Sequence, residues 1–362
     1  MVAITGPGCD HEGAITGPGC DRGADRQARA VIGQRVRRKM RRMIILLMAV
    51  SMLQLTGCSQ TGKPEDGDKH VTYEHTEYPL ERNGIPLHLD CLKVDDSLPE
   101  NNILLMHGST YSSHEFDIDY EDYSMARRLA REGYAVWRLD IAGYGQSGEV
   151  EDGLMPDTAY AAEDIRAAMD LIASETGQEK IDLLGWSWGT MTTGLFAGEY
   201  PEHLGKLVLY APILSGLGEA AGATSSIEPF HLTDWAGAAE DFQTKEDGSF
   251  DLEVTDPVLI EMWCSSCWHY DGDSSPNAWR KDALVSEDSI LIDLEKITVP
   301  TLVICGDKDP YLNYDLVNSS LELLPEGSEL KVIPGGSHIV MYEKELYKEF
   351  QDDVVGFLRG DE

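Results

Sequence analysis

The chain has 362 residues and an acidic balance, with 64 Asp and Glu against 29 Lys and Arg and a formal net charge of −35. A field of that sign repels nucleic acid and anionic lipid head groups, so no nucleic-acid partner is expected. With 42% hydrophobic residues, the length suits one large α/β domain carrying an insertion, enough chain to bury most of its surface.

Residues 1–39 differ from the rest. Basic residues crowd there and just beyond, and Ala3-Ile4-Thr5-Gly6-Pro7-Gly8-Cys9-Asp10 recurs as Ala14-Ile15-Thr16-Gly17-Pro18-Gly19-Cys20-Asp21. Two Gly-rich copies cannot build a core, so this reads as an unstructured upstream segment, with Met40 or Met43 as alternative starts. Residues 40–57 then have the pattern of a secretory signal. Arg41-Arg42 is a basic n-region, and Met43 to Leu55 is a mostly apolar stretch of 13 residues. That is shorter than the roughly 20 residues a bilayer span needs. The stretch ends in Leu55-Thr56-Gly57-Cys58, which resembles the lipobox of bacterial lipoproteins. The resemblance implies cleavage before Cys58, a lipid on that cysteine and an extracytoplasmic protein tethered to the membrane. An ordinary signal peptide ending near a chance cysteine is the alternative. Residues 58–70, rich in Gly, Asp and Lys, read as a flexible tether.

A strand-and-helix pattern begins at 71. Val71 to Tyr78 and Ile85 to Val94 flank the turn signal Arg82-Asn83-Gly84 and should form an antiparallel hairpin. Strands at 103–106, 134–139, 181–184 and 206–211 then alternate with helices at about 121–132, 157–175 and 189–200. Such alternation predicts an α/β fold, a mostly parallel sheet with helices on both faces.

The strand at 181–184 runs into Gly185-Trp186-Ser187-Trp188-Gly189 and then a helix. A serine on a sharp strand-to-helix turn sits in a strained conformation, and glycines on both sides remove the clashes. The turn exposes the hydroxyl at the helix N-terminus, where free N–H groups can stabilise an oxyanion. A serine nucleophile needs a base, and the base needs an orienting acid. Thr301 to Gly306 reads as a buried strand ending in Asp307 and Asp309, and Leu330 to Ile333 as another ending in Gly335-Gly336-Ser337-His338. His338 is the sole histidine after His269.

These segments resemble the α/β-hydrolase family over roughly residues 71 to 360. Upstream, Leu104-Leu105-Met106-His107-Gly108-Ser109 looks like its oxyanion loop, and Asp140 with Gly143-Tyr144-Gly145-Gln146-Ser147 like the turn after its next strand. The resemblance implies an eight-stranded sheet, Ser187 as nucleophile, His338 as base and Asp309 as acid. It also implies the backbone N–H groups of Ser109 and Trp188 as the oxyanion hole. Asp307 is the alternative acid, while Asp140 and His107 read as structural supports. The core is expected at 71–212 and 291–362, with a helical cap inserted at 213–290. In the cap, Trp235, Trp263, Trp268 and Trp279 would either wall an apolar pocket or form the cap's own core, among the acids Glu219, Asp234, Glu240 and Asp241. The loop His114 to Tyr123 would either rim the pocket or present a solvated face. Cys264 and Cys267 would be a local disulfide or two free thiols. No metal-ligand spacing is present and the chemistry requires no cofactor.

The expected activity is carboxylic ester hydrolysis through an acyl-enzyme, on a small-molecule ester with an apolar part. The alternatives are an aminopeptidase or amidase similar to proline iminopeptidases, and a lipid-anchored binding protein without catalysis. Against the peptidase, His107-Gly108-Ser109-Thr110 departs from the His-Gly-Gly-Pro-Gly of that group.

Overall fold

A computed structural model describes residues 71–218 and 227–360, apart from 96, 98 and 100. The upstream segment, the signal, the tether with Cys58, and Glu219 lie outside the described residues.

The hairpin forms as the turn signal predicts. β1 (Tyr73–Arg82) and β2 (Ile85–Val94) pair antiparallel around Asn83 and Gly84, both at positive φ. β3 (Asn101–Met106) follows, then α1 (Met125–Arg131), β4 (Tyr134–Leu139), α2 (Thr158–Thr176), β5 (Ile181–Trp186), α3 (Trp188–Glu199) and β6 (Leu204–Tyr210). Asp157 caps α2 by accepting from the Tyr160 N–H, and Gly177 ends it in a left-handed conformation.

The insertion before the next core strand is not wholly helical. β7 (Phe230–Leu232) and β8 (Ser274–Pro276) pair as a short antiparallel ribbon. Around it lie α4 (Trp235–Ala238), α5 (Pro257–Tyr270) and α6 (Ala278–Ala283). The proline at 276 suits the edge of such a ribbon, where its missing N–H costs no ladder bond. Cys264 and Cys267 stand on α5 as buried free thiols. β9 (Thr301–Gly306), α7 (Tyr314–Ser319), β10 (Glu329–Ile333) and α8 (Leu346–Arg359) complete the core.

The main sheet has eight strands in the order β1-β2-β4-β3-β5-β6-β9-β10. From β4 to β10 all neighbours are parallel. Parallel strands are buried on both faces, and β4, β5 and β9 accordingly run as nearly continuous apolar stretches. One apolar cluster includes Leu105, Tyr210, Ile304 and Phe350, and the other includes Leu104, Ile165, Leu183 and Val303. Successive strand residues thus point into opposite layers. Among the described residues, no helix is long and apolar enough to cross a membrane.

Candidate active site

β5 ends at Trp186, and Ser187 takes φ 56° and ψ −121° before α3 begins. That conformation costs a non-glycine residue about 1–3 kcal/mol, which the surrounding packing must offset. The neighbouring glycines are sterically required. A Cβ on Gly185 would lie 2.3 Å from the Gly189 carbonyl oxygen, and one on Gly189 would lie 2.6 Å from those of Met106 and His107. The Ser187 N–H donates to the Tyr210 carbonyl at 3.0 Å, which ties the turn to β6.

The loop after β3 lies directly against this turn. A Cβ on Gly108 would sit 3.3 Å from the Ser187 Cβ. Ser109 and Thr110 follow, with Thr110 at φ 78°. Trp188 is the first residue of α3, so its N–H has no partner within the helix and can serve an oxyanion. His107 is fully buried. Its Nε2 accepts from the Ile141 N–H at 3.1 Å, so Nδ1 carries the proton and donates to the Gly108 carbonyl at 2.8 Å. Burial lowers its pKa and keeps it neutral. Asp140 accepts from the N–H groups of Ser113 and Gln146, both at 2.9 Å, and so fixes two turns.

His338 follows the two glycines after β10, and its Nδ1 lies 2.7 Å from Asp309 Oδ2, with both side chains buried. Asp309 also accepts from the Tyr311 N–H at 3.0 Å. Asp307 points elsewhere: it is exposed, and its carboxylate accepts from the Gly335 N–H at 2.6 Å. Burial draws the His338 pKa down, but the charge and hydrogen bond of Asp309, with Asp241 beyond, outweigh it and set the group above its ordinary value. The loops that carry Asp309 and His338 meet backbone to backbone, since a Cβ on Gly306 would lie 2.0 Å from the Gly336 carbonyl oxygen.

Several supports carry no local signal in the sequence. Trp186 Nε1 donates to the His338 carbonyl at 3.1 Å, and the Tyr210 hydroxyl donates to the same oxygen at 3.0 Å. Glu343 is fully buried and accepts from both the N–H and the hydroxyl of Ser337, at 3.0 and 2.7 Å. Glu115, 1% exposed, accepts from the Gly108 N–H at 2.7 Å, and the Tyr342 hydroxyl donates to its carbonyl. Burial raises its carboxyl pKa well above the ordinary value, against the pull of the Gly108 bond, behind the loop that carries Ser109. The loop from His114 to Tyr123 is divided, for Glu115 reaches the cavity wall while Asp119, Glu121 and Asp122 form an exposed face. Phe116, Ile118 and Tyr123 are buried, and Asp117 is neutralised by Arg127 and Arg138.

Ser187 and His338 open onto a cavity of about 930 Å³. Met191, Ile213 and Leu217 supply apolar wall, and the cap adds Leu232, Trp279 and Arg280 beside the acids Asp234, Glu240 and Asp241. The cap tryptophans divide. Trp279 faces the cavity, Trp263 packs in the core with its Nε1 donating to the Ala238 carbonyl at 2.6 Å, and Trp235 and Trp268 are exposed. Away from the cavity wall, the fold assembles a donor set that sequence spacing could not reveal. His114, Cys267 and Asp271 bring ligand-type atoms within 4.8 Å of one another. His114 is already engaged there, with Nε2 2.6 Å from Asp271 and Nδ1 2.9 Å from the Ser266 hydroxyl.

The arrangement provides a strained serine hydroxyl, a histidine oriented by a buried carboxylate, and helix and loop N–H groups beside them. It can perform nucleophilic attack on a carbonyl with proton transfer through the imidazole. Residues 98–345 match the family described as serine aminopeptidase, S33. A proline iminopeptidase from Saccharolobus solfataricus is 24% identical over 75% of this chain and 90% of its own. A Synechocystis protein carried under the name non-heme chloroperoxidase is 25% identical over 66% of this chain and 84% of its own. Among solved structures, a carboxylesterase from Bacillus subtilis superposes with a TM-score of 0.55 at 18% identity, over 80% of this chain and 93% of its own.

Proposed function

The chain belongs to the serine aminopeptidase, S33, family of hydrolases, and from that premise we propose that it hydrolyses carboxylic esters through an acyl-enzyme on Ser187. The observation that carries this reading is the buried His338–Asp309 contact of 2.7 Å, opening with Ser187 onto one partly apolar cavity. Ser187 Oγ attacks the ester carbonyl while His338 Nε2 takes its proton. The N–H groups of Ser109 and Trp188 receive the charge that develops on the carbonyl oxygen. His338 then protonates the departing alcohol, and water repeats the cycle to free the acid. Met191, Ile213 and Leu217 would hold the apolar part of the substrate.

Aminopeptidase action is the second reading. It is favoured by the family's description and by Glu240 and Asp241 in the cavity wall, which suit a cationic amino terminus. A fluorophosphonate probe, followed by alkyl esters of increasing chain length beside aminoacyl-anilides, separates the possibilities. We expect labelling of Ser187 and turnover of esters. Anilide turnover without ester turnover would establish the peptidase, and absence of labelling would leave a binding protein.

We also propose that the protein acts outside the cytoplasm, held to the membrane by lipid on Cys58. Leu55-Thr56-Gly57-Cys58 after a short apolar stretch supports this. A single acyl chain anchors only marginally, whereas the diacylglyceryl group that the lipobox resemblance implies anchors stably. Cells fed a clickable fatty acid should label the wild type and not Cys58→Ala. An unlabelled wild type, or equal label on both, would make residues 40–57 an ordinary signal peptide.

A further inference from the structure

The eight arginines among the described residues are not equivalent. Seven lie within ion-pair distance of a carboxylate: Arg82, Arg127, Arg128, Arg131, Arg138, Arg166 and Arg359. In so acidic a chain that is unsurprising. Among the described residues Arg280 on α6 makes no such pair, and it lines the cavity onto which Ser187 opens. Asp234, Glu240 and Asp241 line the same cavity, yet none of them comes within the 4.0 Å of an ion pair with it.

The guanidinium is nevertheless held in place. Its Nη1 donates to Asn277 Oδ1 at 2.5 Å, and its plane lies over the Trp279 ring, 4.5 Å from the centroid. Asn277 is itself buried and fixed, because its Nδ2 donates to the Glu228 carbonyl at 2.8 Å. A guanidinium carries five N–H donors, and this is the single hydrogen bond it makes among the described residues. Partial burial weakens its hold on the proton without bringing it near neutrality. A charge partly withdrawn from water, oriented by neighbours and without a paired carboxylate among the described residues, is costly unless a ligand supplies one.

Its surroundings place that ligand beside the chemistry. Arg280, Tyr311 and His338 line the same cavity, and the Tyr311 ring lies 4.8 Å from the His338 ring. His231 shares this wall and is held neutral, its pKa lowered to about 4 by burial and by Arg280. Among the described residues of this wall, the guanidinium is the fixed positive charge.

We propose that Arg280 is the specificity residue for a carboxylate on the substrate, so that the preferred esters are acidic molecules in which an apolar body separates the scissile ester from a carboxylate. The planar guanidinium fork matches a carboxylate in two parallel hydrogen bonds, a geometry no ammonium reproduces. This proposal rests on the ester reading above, and its test is built so that the two can fail separately.

The experiment compares two matched pairs: monomethyl glutarate with methyl valerate, and 4-acetoxybutanoate with butyl acetate. The first carries the charge on the acyl side and the second on the alcohol side. Acid release is followed by pH-stat for wild type, Arg280→Gln and Arg280→Lys. In at least one pair the wild type should favour the acidic ester, and Arg280→Gln should lower the acidic-to-neutral ratio of kcat/KM about 10- to 100-fold, mainly through KM. Arg280→Lys should recover part of it. Damage to the fold would lower both rates and leave the ratio intact, so an unchanged ratio in both pairs overturns the proposal. If no ester turns over, the ester reading fails, and glutarate protection against fluorophosphonate labelling tests the subsite directly. Protection of wild type lost in Arg280→Gln supports it, and equal or absent protection in both overturns it.

Discussion

The C-terminal edge of the sheet and the inserted segment above it are built by different rules. At the sheet edge every group that could act is over-determined. Ser187 is held in a strained conformation by glycine contacts on both sides, and Asp309 and His338 sit on loops whose backbones touch. In the insertion, α4 and α6 have four and six residues, and large apolar side chains such as Leu232, Trp235 and Trp268 remain exposed. A rigid edge fixes the reaction, because sub-ångström placement decides rate. A looser cover decides which molecule reaches it, and can be rebuilt without disturbing the edge.

If that division holds, substitutions at the edge should depress turnover of every substrate alike. Ser187→Ala should lower kcat by several orders of magnitude on acidic and neutral esters equally, leaving only what binding and the oxyanion hole supply. Retention of more than a few per cent of activity would remove Ser187 from the nucleophile's role. Asp309→Asn should cost about 10³- to 10⁴-fold by favouring the wrong His338 tautomer. It also removes the charge that raises the His338 pKa, so the low-pH limb of the kcat/KM profile should move to lower pH. Asp307→Asn should cost far less, since its carboxylate braces the Gly335 turn. The reverse ranking would exchange the two acids.

A smaller effect tests the seam between the regions. The buried Glu115 carboxyl binds its proton more tightly in the folded than in the unfolded chain. The stability it lends is therefore complete below its ordinary pKa of 4.5 and is lost as pH rises toward the folded value. Glu115→Gln keeps an oxygen for the Gly108 N–H and has no proton to lose. Urea midpoints measured from mildly acidic to mildly alkaline pH should fall more steeply for wild type than for the variant. Parallel curves would show that folding does not raise the Glu115 pKa.

Much of the edge was readable from the residues. Each candidate catalytic residue sits just past an apolar strand, and glycines mark where backbones must approach closely. The choice of Asp309 over Asp307 came from the family resemblance and not from the residues themselves, because two residues apart on a turn they share a neighbourhood and differ only in which way the side chain points. Glu115 carries no local mark; its burial depends on Tyr342, far along the chain. The loop it belongs to looks solvent-loving until Arg127 and Arg138 are seen to neutralise Asp117. Arg280 lies in a stretch without periodicity, and its meaning comes from what is missing around it.

The four buried thiols among the described residues give the two regions separate clocks. Cys91 and Cys305 lie in β2 and β9, while Cys264 and Cys267 lie in α5 of the cover. Burial pushes the pKa of Cys91, Cys264 and Cys305 up to about 12 and that of Cys267 higher still, so none presents a thiolate while folded. An alkylating reagent can therefore mark each one only when its own shelter opens. The rate at which the α5 pair is marked, set beside that of the strand pair, times the lifting of the cover separately from the unravelling of the sheet, in the unmodified protein.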